Sequence, residues 1–151
     1  LVVIQDLQKV LQYQNPALCD LLVQKHGMST AEAQEAFHET KRWLWAIAQL
    51  AEANERGEKV PDSLSISNEI KAIDACWHEF VLRDEEYRVF CKSHFDMYIQ
   101  LIPTTQHVRD NTNVPERMGK QLSFLYDILG PEVVTLWYKD FPKRFANLKS
   151  A

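Results

Sequence analysis

Apolar side chains recur along this chain every three or four positions, the spacing of an α-helix, and nowhere alternate long enough to suggest a strand. The first segment carries Ile4, Leu7, Val10 and Leu11 at that spacing and runs to Gln14, where Asn15-Pro16 stops it. Pro16 suits the first turn of a second helix, where its missing N–H has no partner to lose. That helix turns Leu18, Leu21 and Leu22 inward and ends at His26-Gly27. Ser29-Thr30-Ala31-Glu32 spells a capping box, in which hydroxyl and carboxylate each satisfy an orphan amide of the other residue. It opens the longest helix, predicted over 30–56. One stripe of that helix is Ala33, Phe37, Thr40, Leu44, Ile47 and Ala51, and a second is Ala36, Trp43, Ala46, Leu50 and Ala53. Two apolar faces require neighbours on more than one side, which places this helix at the centre.

Beyond a loop that contains Pro61, Ser67 or Asn68 is placed to cap a helix running to Leu82, with Ile70, Ile73, Trp77, Phe80 and Val81 as its core stripe. Asp84 is the expected cap of the next, with Glu85 and Glu86 in the first turn, where the macrodipole favours negative charge. Its predicted buried face is Tyr87, Phe90, Cys91, His94 and Tyr98. Residues 103–113 are polar and read as loop. Pro115 opens a helix with Met118, Leu122, Leu125, Ile128 and Leu129 on one side and Gly130 as its stop. Pro131 begins a last short helix through Val133, Val134, Leu136 and Trp137, expected to end before Pro142. The predicted fold is all-α, a bundle of five to seven helices around the long central one, forming a single domain over residues 1–151.

Composition agrees. Hydrophobic residues make up 46% of the chain and aromatics 11%, enough for a packed core, and only four glycines argue against a turn-rich β fold. A chain of this size buries roughly two-thirds of its unfolded surface. The net charge of −4 leaves no basic stripe for nucleic acid; the one cluster, Lys139, Lys143, Arg144 and Lys149, reads as a solvated tail. No apolar run is long enough to cross a bilayer, and the start has neither the basic lead nor the apolar core of a secretory leader. Neither a nucleic-acid nor a membrane partner is therefore expected. Cys19, Cys76 and Cys91 are odd in number and lack C-x-x-C spacing, so a reducing, cytoplasmic compartment is the expectation, with export of the full-length protein into another cell as the alternative.

One constellation could carry chemistry. Asp74 and His78 are four residues apart and share a helix face, and Cys91 and His94 are three apart on the next helix. If the two helices pack as a hairpin, carboxylate, imidazole and thiolate converge, the ligand types that zinc or iron accepts. The same groups could instead form an Asp-oriented histidine base beside a cysteine nucleophile. Against both stands the plainer reading of a polar pair that ties two helices together, with Cys91 a small buried hydrophobe. Phosphate loops, nucleophile elbows, H-E-x-x-H and EF-hand loops are all missing from the sequence.

The run Ile73-Asp74-Ala75-Cys76-Trp77-His78-Glu79-Phe80-Val81-Leu82, followed by Tyr87 and Phe90-Cys91, resembles the D-x-x-W-H-x-F-I-L…Y…F-C signature of the glycine-rich domain-containing protein-like family, in its short bacterial form. The similarity extends over residues 37–142 and leaves the helices of residues 1–28 outside it. Asp74, Trp77, His78, Tyr87, Phe90 and Cys91 are the motif positions, and the resemblance implies a helical fold more than any activity. Relatives of that family carry F-G and then I-H-H-x-P after the F-C pair. Here Asp96 replaces the glycine, and Gln100 and Leu101 replace both histidines.

Together these features favour a non-catalytic protein-interaction or regulatory module, without a cofactor, that binds another protein or its own copy through an apolar surface flanked by acidic residues. The alternative is a metal-dependent enzyme using Asp74, His78, Cys91 and His94. A third reading is a small-ligand pocket lined by Trp43, Trp77 and Tyr98.

Overall fold

A computed structural model describes residues 3–101 and 114–148, and among them every regular element is helical. The all-α expectation holds. Helices α1 (Leu7–Leu11) and α2 (Pro16–His26) precede α3 (Thr30–Glu55), the long helix, which packs against α1, α2 and α4 (Lys71–Leu82). A 3₁₀ turn, Asn68–Ile70, leads into α4, and α5 (Asp84–Phe95) folds back on it. Then follow α6 (Val114–Leu129), α7 (Pro131–Thr135), a π-helical stretch Leu136–Asp140, and α8 (Phe141–Arg144). The predicted 103–113 loop lies outside the described residues.

Local chemistry explains most boundaries. The Ser29 hydroxyl accepts from the Glu32 amide at 3.1 Å and the Glu32 carboxylate accepts from the Ser29 amide at 2.8 Å, so the capping box forms as read. Asn15 caps α2 through the Leu18 amide, and Gly27 closes it at φ 72°, a conformation that a Cβ would strain. The first helix is shorter than its apolar spacing suggested. Asp6 is extended, and the Gln5 amide donates to the carbonyl of His94 at 2.8 Å, tying the entering strand of chain to α5 rather than to a helical turn of its own.

Two further expectations are corrected. Helix α5 ends at Phe95 because Asp96 adopts φ 55°, so Tyr98 leaves the helix and lies exposed rather than in its core stripe. The last helix does not stop before Pro142. The wider π turn resets the hydrogen-bond register, and Pro142 falls in the first turn of α8, where its lack of an N–H is harmless.

The core is one buried cluster that draws on α1 to α6, the π-helical stretch and α8, with the half-buried Val133 and Val134 of α7 packed against it. At one end lies an aromatic nest. Phe80 is fully buried and its ring sits 5.0 Å from Tyr87, 5.2 Å from Phe90, 5.8 Å from Phe37 and 6.1 Å from Tyr13, mostly edge-on or tilted as ring quadrupoles prefer. At the other end Trp43 meets Trp137 edge-on at 5.7 Å. Gln121 of α6 is buried and pairs with both backbone groups of Ser65, accepting its amide at 2.7 Å and donating to its carbonyl at 3.0 Å. Its side chain thus serves the 57–67 connection as a neighbouring strand would.

Candidate functional site

The motif Asp74-x-x-Trp77-His78…Tyr87…Phe90-Cys91 divides between the inside and the outside of the α4–α5 hairpin. Trp77 and Tyr87 are buried and joined: Trp77 Nε1 donates to the Tyr87 hydroxyl at 3.0 Å, which donates onward to the carbonyl of Ile99 at 2.5 Å. This chain locks α4 to α5 and to the segment that follows α5. Cys91 is buried beside it, and burial pushes its thiol up, so it stays protonated. Burial likewise drives the Tyr87 hydroxyl far above its ordinary range, leaving it a permanent donor. Phe90 is buried against Phe80 and Phe95. These residues build the hairpin.

His78 does not join them. The buried arc of α4 is Ala72, Ile73, Cys76, Trp77, Glu79 and Phe80, and His78 sits nearly opposite its centre, exposed. Leu82 lies one turn further along the same outward face and is 63% exposed. Asp74 is half-buried at the edge of that face. The idea that the His78 imidazole docks two helices is therefore corrected: a side chain on the solvent ridge cannot serve as the seam.

His94 goes elsewhere again. Its Nδ1 lies 2.9 Å from the carbonyl of Phe90, and its ring, half-buried, packs 4.6 Å from Phe90 and 5.8 Å from Tyr13 in the α1–α2 turn. Among the described residues no three His, Cys, Asp or Glu side chains are placed to hold a metal ion. Asp74, His78, Cys91 and His94 are thus not drawn into the convergent zinc or iron site that their spacing allowed. The third expectation also separates: Trp43 is fully buried against Trp137, Tyr98 is exposed, and the small cavity of about 130 Å³ beside Trp77 is lined by Ile47, Leu50, Leu64 and Ile66 instead.

Three buried charges escaped the sequence reading. Glu79 and His26 are both buried, with Glu79 Oε2 2.9 Å from His26 Nε2 and the half-exposed Lys25 at 3.4 Å, joining α2 to α4. Glu39 accepts from Trp137 Nε1 at 2.8 Å and from Arg42 Nε at 3.0 Å, anchoring the π-helical stretch to α3. Lys41 is buried and its Nζ donates to the carbonyls of Leu11 at 2.7 Å and Tyr13 at 2.6 Å, satisfying orphan acceptors at the end of α1. The only local hint of Lys41 was its position four residues after Phe37 and beside Thr40 and Leu44, inside a buried arc.

Comparisons with protein-family models, with curated proteins and with solved structures returned no match. The likeness noted above rests on the motif residues alone. Among the described residues no helix is long and apolar enough to cross a membrane.

Proposed function

We propose that this chain is a non-catalytic recognition module that binds another protein through the outward side of the α4–α5 hairpin. The observation that carries the reading is the exposure of large apolar side chains on a rigidly held element: Leu82 is 63% and Val89 is 60% exposed, on helices locked together by Trp77 and Tyr87. Rigid presentation lowers the ordering cost of binding, and exposed apolar residues next to charge are the usual centre and rim of an interface. Ala75 and His78 precede Leu82 on the same face of α4, and Asp84, Glu85 and Glu86 occupy the turn between Leu82 and Val89. A partner that offers apolar side chains bordered by Lys or Arg complements this surface. Arg83 and Glu86 pair at 2.6 Å, and Asn15 reaches Glu86 at 2.7 Å, which fixes the hairpin apex against α2.

The test uses the whole chain as bait in three forms: wild type, a Leu82→Glu/Val89→Glu double variant, and Tyr126→Glu, which alters an exposed apolar residue on α6. All three replaced positions are exposed, so melting temperatures should agree. A protein held by wild type and by the Tyr126 variant, and bound at least about tenfold more weakly by the double variant, is the expected outcome. Equal capture by all three, or a homodimer that the double variant leaves intact, overturns the assignment.

A further inference from the structure

We propose that the cavity beside Trp77 is a binding site for a small arylalkylamine, its ring held between α3 and α4 and its ammonium at the mouth against Asp62. The site lies on the inner side of α4, away from the Leu82 surface, and does not depend on it. The cavity encloses about 130 Å³ and has an apolar floor of Ile47, Leu50, Ala51, Leu64, Ile66 and Trp77. An apolar cavity of about 150 Å³ accepts a benzene ring and otherwise stays dry, because water needs two or more polar partners. The floor offers none. The indole N–H of Trp77 is committed to the Tyr87 hydroxyl at 3.0 Å. Among the described residues the buried side-chain nitrogen left without an acceptor is Trp43 Nε1, which does not line this cavity.

Close packing normally erases such a void, but here each wall is pinned. Ile47, Leu50 and Ala51 belong to the long α3, and Trp77 is fixed through Tyr87, whose hydroxyl donates to the Ile99 carbonyl at 2.5 Å. The third wall, residues 62–66, is irregular and is tied on both sides of Leu64. The Pro61 carbonyl accepts from Asn54 Nδ2 at 3.0 Å, and Gln121 holds the Ser65 amide at 2.7 Å and its carbonyl at 3.0 Å. Leu64, between these ties, is turned inward and 8% exposed. A hollow already formed spares a ligand the cost of ordering its site.

The mouth sets the chemistry of the substituent. Asp62, Ser63 and Gln100 are the exposed members of the lining, and Asp62 is the charged one. Among the described residues none of these three side chains has a hydrogen bond or ion pair. A carboxylate, a hydroxyl and an amide oxygen are three acceptors, matched to the three N–H donors of a primary ammonium. An anionic substituent would instead meet the Asp62 charge. The volume admits one ring, so a short carbon link brings the ammonium to the rim.

The experiment titrates the full chain, labelled with nitrogen-15, with benzylamine, benzyl alcohol and benzoate at neutral pH. The three share a ring and differ in charge, and the Trp77 Nε1–H resonance reports occupancy. Benzylamine should shift it saturably, with half-effect at about 1 mM or below. Benzyl alcohol should bind several-fold more weakly, the modest gap expected of an exposed ion pair, and benzoate at least about tenfold more weakly. Asp62→Asn, at an exposed position, should bring benzylamine to the level of the alcohol and leave the alcohol unchanged. Ala51→Leu, which fills the floor from α3, should remove binding of both. No saturable shift with benzylamine, equal binding of the three ligands, or full binding by Ala51→Leu overturns the proposal. So does a preference for benzylamine that survives Asp62→Asn, a comparison that decides the matter whatever Ala51→Leu does to stability.

Discussion

Phe80→Ala is expected to cost about 3–5 kcal/mol of folding stability, the largest loss of any single substitution considered for this chain. The ring is fully buried and is the one member of the aromatic nest that touches Tyr13, Phe37, Tyr87 and Phe90 together. Removing it opens a cavity between four large rings whose backbones are fixed by α3, by α5 and by the α1–α2 turn, so the walls cannot collapse inward. Each lost edge-on contact adds about 0.5–1.5 kcal/mol of specific geometry to the loss of buried area. A natural domain holds only about 5–15 kcal/mol in reserve. Denaturant unfolding should therefore show a large fall in midpoint at unchanged slope. Phe80→Leu should recover much of the loss, because it refills volume without restoring the ring geometry.

Glu79→Ala is expected to cost about 3 kcal/mol at neutral pH, and the loss should fade in acid. Glu79 and His26 are both buried, so deleting the carboxylate removes the acceptor through which His26 and Lys25 of α2 are joined to α4 and leaves a cavity beside the imidazole. Burial works to raise the Glu79 carboxyl, and hydrogen bonds from His26 and Lys25, with the charge of Lys25, outweigh it and hold the group below its ordinary value of 4.5. A carboxyl held low in the folded chain stabilises the fold above its unfolded value. That contribution disappears as the pH falls through the folded value. Wild type should therefore lose stability from about pH 5 downward more steeply than Glu79→Ala, and the two curves should converge in acid. Parallel curves would mean that Glu79 titrates alike in both states and that the pair contributes by packing alone.

How much of this was legible depended on whether the signal was local. The capping box at Ser29, the Pro16 start and the Gly27 stop are short-range chemistry and appear as read. The long α3 and its central place followed from two apolar stripes, and they hold. His78 was misplaced for a traceable reason. The stripe was drawn through Ile73, Trp77, Phe80 and Val81, whereas Cys76 and the charged Glu79 belong to the buried arc and Val81 lies at its margin. Counting Glu79 as polar rotates the inferred face toward His78, which turns the face it shares with Asp74 toward the next helix, whereas the true buried arc points the opposite way. No pattern could have revealed that Glu79 is buried, because its partner His26 lies 53 residues away. Lys41 and Glu39 were hidden in the same way, their partners being the end of α1 and Trp137. Tyr98 and Pro142 were missed because a single left-handed residue and a single π turn reset the helical register, and neither leaves a periodic trace.

The Trp77-His78…Tyr87 motif faces two ways, with Tyr87 and Trp77 building the hairpin and His78 exposed on its outer side. Thermal unfolding of Tyr87→Phe beside His78→Ala measures that division directly. Tyr87→Phe strands the buried Trp77 Nε1 and the Ile99 carbonyl and should lose about 1–3 kcal/mol. His78→Ala, at an exposed position, should stay within about 0.5 kcal/mol of wild type. A His78→Ala loss as large as that of Tyr87→Phe would place the imidazole in the architecture and contradict the account.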